Sequence, residues 1–163
     1  MKAVRARRRG WMPPRLRAVA GAVPPEAASV ADVGAGDGQL ARQLRARGLH
    51  VIATERRPGP YARLRAALPD VDCRQGEGLE VLRPGEVEGI VLAGLGGHTI
   101  ARLLEATPAV ARTLEWLVLQ PQQHVDHLLG WLGKTGYRVV ARTTMSQGRH
   151  SYTVLLVRPH ERS

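Results

Sequence analysis

Three glycines at alternate positions, Gly34, Gly36 and Gly38, follow the apolar run Val30-Ala31-Asp32-Val33. Glycines spaced this way let a backbone come close to a ligand, and a helix starting just beyond them offers unpaired N–H groups to it. Two acids accompany the turn. Asp32 stands two residues before the first glycine, and Glu55 stands 21 residues after it, ending the apolar segment His50-Val51-Ile52-Ala53-Thr54. In doubly wound sheets an acid about 20 residues past the first glycine binds a ribose diol.

The same residues argue against a dinucleotide. Its fingerprint asks for a third glycine three residues after the second, and Gln39 occupies that place. Asp32 would repel a pyrophosphate but attract an ammonium group. A ligand with an amino acid at one end and a nucleoside at the other satisfies both acids, and S-adenosylmethionine is such a ligand. A second glycine-rich stretch, Gly94-Leu95-Gly96-Gly97-His98, follows the apolar run Gly89–Ala93. Gly94 is counted with the cofactor site; Gly96, Gly97 and His98 are the candidates for contact with a methyl acceptor. The stretch lacks the proline and aromatic residue typical of enzymes that methylate amines. It suits a target that needs only a close, flat slot. His98 has a plainer reading as a cap on the following helix. His124 and His127 flank Asp126 three residues apart; without further ligands they read as a solvated helix face, and no metal is expected. Cys73 reads as a small core residue.

These residues need a scaffold. The 163 residues, 44% of them hydrophobic, suit one domain with a real core. A lone cysteine leaves no internal disulfide framework, no apolar run has the length of a membrane span, and no secretory leader is evident. A cytoplasmic protein is expected. Formal net charge is +10. Lys2, Arg5, Arg7, Arg8, Arg9, Arg15 and Arg17 all fall before residue 18, with no acid among them. A basic arm over residues 1–11 before a domain over 12–163 suggests a polyanionic partner, most simply RNA, with Arg8, Arg9 and Arg15 as candidate contacts. A compositional bias towards arginine is the plainer alternative.

Hydrophobic spacing predicts the elements. Leu16, Val19, Ala20 and Val23 make one face of a helix over Arg15–Val23, which Pro24-Pro25 ends. The first strand and ligand turn follow, then a helix over Leu40–Arg47. Pro58-Gly59-Pro60 opens another helix with Tyr61, Leu64, Ala67 and Leu68 on its buried face. Val71–Arg74 is a short strand, Leu79–Leu82 a helical turn, Gly89–Ala93 a buried strand, and Ile100, Leu103 and Leu104 mark a helix. Trp116–Leu119 is the fifth strand. Val125, Leu128, Leu129 and Leu132 face the core from a helix that Gly133 and Gly136 stop. Tyr137–Arg142 and Tyr152–Val157, joined by a polar loop over Thr143–His150, leave no room for a crossover and must pair antiparallel. The expected fold is a Rossmann-like α/β sheet, doubly wound and mostly parallel, with seven strands and a C-terminal antiparallel hairpin.

With these pieces assembled, the chain resembles the bacterial tRNA (adenine-22-N1)-methyltransferase family from about Met12 to Val157. The resemblance rests on Arg15-Leu16, Val30-Ala31-Asp32-Val33-Gly34, Gly59-Pro60-Tyr61, Gly76-Glu77-Gly78-Leu79-Glu80-Val81-Leu82, Ala93-Gly94-Leu95-Gly96-Gly97 and Leu119-Gln120-Pro121. It implies the class I methyltransferase fold, S-adenosylmethionine as cofactor, and Glu77 as the acid near its adenine. After the first glycine the family usually has Ser-Asp-His-Ala-Tyr-Leu-Pro, where this chain has Ala35-Gly36-Asp37-Gly38-Gln39-Leu40-Ala41. The family's C-terminal coiled-coil domain has no counterpart before Ser163. The resulting expectation is a methyltransferase acting on RNA, most simply tRNA at adenine N1. The alternatives are a small-molecule methyltransferase and a cofactor- or RNA-binding protein without turnover. Oligomeric state is not legible.

Overall fold

A computed structural model describes residues 11–161. Seven strands form one sheet: β1 (Ser29–Val33), β2 (His50–Glu55), β3 (Asp72–Gln75), β4 (Gly89–Leu95), β5 (Trp116–Pro121), β6 (Tyr137–Gln147) and β7 (His150–Pro159). Their spatial order is β3-β2-β1-β4-β5-β7-β6. The first five are parallel, and β7 runs antiparallel between β5 and β6. The strand order reverses between β1 and β4, where a doubly wound sheet opens a crevice at its carboxyl edge.

Alternation along the buried strands sorts side chains into two layers. Val30, Val51, Ala53, Val91, Trp116 and Val118 meet helices α1 (Pro14–Ala22), α2 (Gln39–Ala46) and α3 (Pro58–Ala67). Ala31, Val33, Ile52, Ile90, Leu92, Leu117 and Leu119 meet α4 (Gly97–Ala106), the short α5 (Pro108–Ala111) and α6 (Val125–Lys134). No helix among the described residues is long and apolar enough to cross a membrane.

The expected architecture holds, and several boundaries move. The closing hairpin is longer than its apolar residues suggest. Both strands run through the stretch expected as a loop over Thr143–His150, down to a two-residue turn at Gly148 and Arg149. β6 is an edge strand with both faces largely exposed, so backbone pairing with β7, rather than a hydrophobic pattern, sets its length. β4 continues into Gly94 and Leu95, and β5 into Gln120 and Pro121. Gly133 lies inside α6, while Gly136, at φ +86°, follows the helix end. Ala67, expected on the buried face of α3, is exposed; Leu64 and Leu68 anchor that helix. Leu79–Leu82 is one hydrogen-bonded turn, overlapping another over residues 77–80. Cys73 is partly buried against the α1–α3 layer.

Candidate cofactor cleft and acceptor loop

The turn after β1 is tied to the end of β2. The N–H groups of Gly34 and Ala35 both donate to the Thr54 carbonyl, at 3.1 and 2.9 Å. All three glycines of the turn are left-handed, at φ +75°, +59° and +80°, a region that costs a side chain energy. Their roles differ. A Cβ on Gly36 would meet nothing within 4 Å, because the residue faces open space. A Cβ on Gly38 would come within 2.7 Å of Leu68 Cδ1, so this glycine brings α2 against α3. Gly38 does not line the cleft.

A cleft of about 890 Å³ opens beside the turn at the strand-order reversal. Gly34, Gly36, Glu55, Glu77 and Gly94 all border it, with Val33, Ala93, Leu95 and Leu103 as apolar lining. Glu55 Oε1 accepts a hydrogen bond from the Gly36 N–H at 2.7 Å. Glu77 Oε1 takes one from Arg102 Nη2 at 3.3 Å and lies 3.9 Å from Arg56 Nη1.

Asp32 sits beneath this cleft and does not line it. It is 3% exposed, and its Oδ2 has no hydrogen-bond partner. Burial, then the nearby charges of Glu55 and Asp37, push its pKa up to about 7. A buried carboxyl in that state gains from a cation placed above it.

The second glycine stretch is held by a buried amide. Gln120 is fully buried, and its Oε1 accepts both the Gly94 N–H at 3.0 Å and Arg15 Nη1 at 2.7 Å. Arg15 thus reaches from α1 to the carboxyl ends of β4 and β5. Beyond the sheet the two loops stay zipped together. Gln122 N–H donates to the Leu95 carbonyl, and Gly97 N–H to the Gln123 carbonyl, both at 2.8 Å. A Cβ on Gly97 would fall 2.2 Å from the His124 carbonyl oxygen, so that glycine serves loop-to-loop packing. Gly96, Gly97 and His98 lie beside the cleft without lining it. His98 is exposed and packs its ring against those of His124 and His127, with centroids 4.5 and 3.8 Å away. The expected plain solvated face at His124 and His127 is therefore an imidazole cluster. Arg8 and Arg9 lie outside the described residues.

Sequence reasoning missed Thr54, Arg56, Arg57, Arg63, Thr99 and Arg102 on the cleft, and it assigned no role to Gln120. Thr54 was accessible, since it directly precedes the ribose acid. Gln120 was visible as a polar residue closing a buried strand, but its partners stand 26 and 105 residues away.

Comparisons with known proteins give the family. A methyltransferase-domain family model matches residues 12–155. The tRNA (adenine(22)-N(1))-methyltransferase of Bacillus subtilis is 32% identical over 156 residues, covering 91% of this chain; the chain spans 65% of that protein's length. The crystal structure of a B. subtilis tRNA methyltransferase of this type superposes with a TM-score of 0.85 at 31% identity, covering 93% of this chain and 68% of that one. A Streptococcus pneumoniae candidate of the same type, in complex with S-adenosyl-L-methionine, gives 0.87 at 30% identity over 94% of this chain and 75% of that one. The chain belongs to the methyltransferase-domain family and, within it, to the tRNA (adenine-22-N1)-methyltransferase family.

Proposed function

We propose that this chain is an S-adenosylmethionine-dependent methyltransferase whose substrate is RNA, most simply tRNA, with adenine N1 as the accepting atom. The observation that carries the reading is the adjacency of two built parts. One is the cleft bordered by Gly36 and Glu55; the other is the Gly94 stretch, fixed at its edge by Gln120 and Arg15. The relatives supply the substrate class, and the basic residues at the start of the chain suit it.

The residues present fit the cofactor. Space beside Gly36 is open, Glu55 stands on the rim with a carboxylate able to accept from a ribose diol, and the unpartnered Asp32 Oδ2 lies below. When bound, S-adenosylmethionine supplies a methyl group on a sulfonium, open to in-line displacement. Glu55 would hold the ribose, and Glu77, drawn from Arg102, would accept a hydrogen bond from the adenine amino group. Asp32 would favour the ammonium end from beneath. The enzyme's contribution is alignment. Gln120 fixes the Gly94 N–H and Arg15 in one arrangement, which sets the edge against which a flat base is placed. The N1 lone pair would take that methyl directly, the C–S bonding pair remaining with sulfur, so no side chain of this chain would have to remove a proton. Methyl transfer from labelled cofactor to unmodified tRNA tests the reading, with a mixture of small nucleosides as the control acceptor.

A further inference from the structure

We propose that His98, His124 and His127 form a receptor for a backbone phosphate of the RNA substrate, beside the Gly94–Gly97 stretch. This rests on the RNA reading above and adds a site to it. The three rings come from two helices that begin side by side. His98 lies in the first turn of α4, His127 lies in the first turn of α6, and His124 caps the latter.

The His98 ring packs against His127 at 3.8 Å and against His124 at 4.5 Å, with tilts of 38° and 60°. Among the described residues no group of His, Cys, Asp or Glu is arranged to hold a metal ion. A cluster of exposed imidazoles has another use. Each gains a second N–H donor and a positive charge on protonation, which is the chemistry that holds a phosphate. His124 is also the sole non-glycine described residue at positive φ, +57°, and such outliers concentrate at functional sites.

Few charged groups surround the cluster, and Asp126 is the acid that shares a helix turn with it. On α4, Arg102 bonds Glu77 and Glu105 accepts from Trp131 Nε1. On α6, Asp126 is the acid of the first turn and Lys134 stands at the far end. β4, β5 and α5 carry no charged residue, and Arg138 and Arg142 belong to β6. The His98 pKa lies below its ordinary value, first through lost hydration and then through repulsion from His127 and His124. A phosphate would reverse that shift, so affinity should grow as pH falls through the imidazole range.

The test is tRNA binding against salt at pH 6 and pH 8 for the wild type, H124Q/H127Q and H127Q, with cofactor affinity as the folding control. The wild type should bind roughly tenfold tighter at pH 6, about the size of one hydrogen bond to a charged group. Its log–log salt slope should steepen by about 0.7–0.9, the size of one added phosphate contact. The double variant should lose both changes, and H127Q part of them. A wild type whose binding and slope ignore pH, or a double variant that responds as the wild type does, overturns the receptor and leaves the RNA reading standing. A wild type that binds no tRNA at either pH removes both.

Discussion

The Glu55 carboxylate accepts a hydrogen bond from the Gly36 N–H at 2.7 Å. It therefore joins the end of β2 to the tip of the glycine turn after β1. A residue so placed has one oxygen committed to the turn and the other available to a ligand in the cleft. Glu55→Ala should weaken S-adenosylmethionine binding by about 1.5–3 kcal/mol, the range for a hydrogen bond to a charged group, or roughly 10- to 100-fold. Calorimetry on the folded variant reads this directly; unchanged affinity would remove Glu55 from the site.

Gly36→Val should abolish cofactor binding with the sheet intact. The position has φ +59° and faces open space, so a β-branched side chain is strained there and also fills the cleft. Circular dichroism reports the fold, and calorimetry reports the loss. A variant that binds normally would reduce the turn to a structural bend.

Asp32 predicts a proton balance. Its pKa of about 7 in the free protein stands above the ordinary 3.8, so between those values the folded chain holds a proton that the unfolded chain has released. Stability contributed by this group therefore falls as pH rises through that window. Asp32→Asn should stabilise the cofactor-free protein at pH 8, where the buried carboxyl has lost its proton, by up to about 4 kcal/mol. A cationic ligand end favours the carboxylate. Cofactor binding near pH 6.5 should thus release up to one proton, and affinity should rise from pH 6 to pH 8. Calorimetry in buffers of different ionisation enthalpy counts that proton, and Asp32→Asn should release none.

The basic arm predicts a salt response. Deleting residues 1–9 removes Lys2, Arg5, Arg7, Arg8 and Arg9. If three or four of them contact phosphates, the log–log slope of tRNA binding should fall by roughly 2–4 units, with cofactor affinity unchanged. Parallel curves for full-length and shortened protein would assign the grip to the domain face alone.

The parts of this site that lie close in sequence were legible from it, and the parts assembled across the fold were not. Glu55 could be found because strand, turn, helix and strand take a nearly constant length, which puts the ribose acid at a countable distance from Gly34. The roles of Gly36 and Gly38 could not be separated, because the distinction depends on Leu64 and Leu68, which reach Gly38 from another helix. The tie from Arg15 through Gln120 to Gly94 joins the first helix to the ends of β4 and β5. The imidazole cluster likewise joins His98 to residues of the next crossover. The hairpin was recognised, but its length was not: β6 is exposed on both faces, so its pairing leaves no alternation to read.

The most direct measurement is to incubate the protein with tRNA lacking the modification and with methyl-labelled S-adenosylmethionine, then digest the RNA and identify the labelled nucleoside by mass spectrometry. The predicted result is label in 1-methyladenosine, at one adenine of the tRNA, and less of it with Glu55→Ala when the cofactor is kept below saturation. Cofactor binding without transfer to tRNA, or label confined to another nucleoside, would contradict the assignment of adenine N1 as the acceptor.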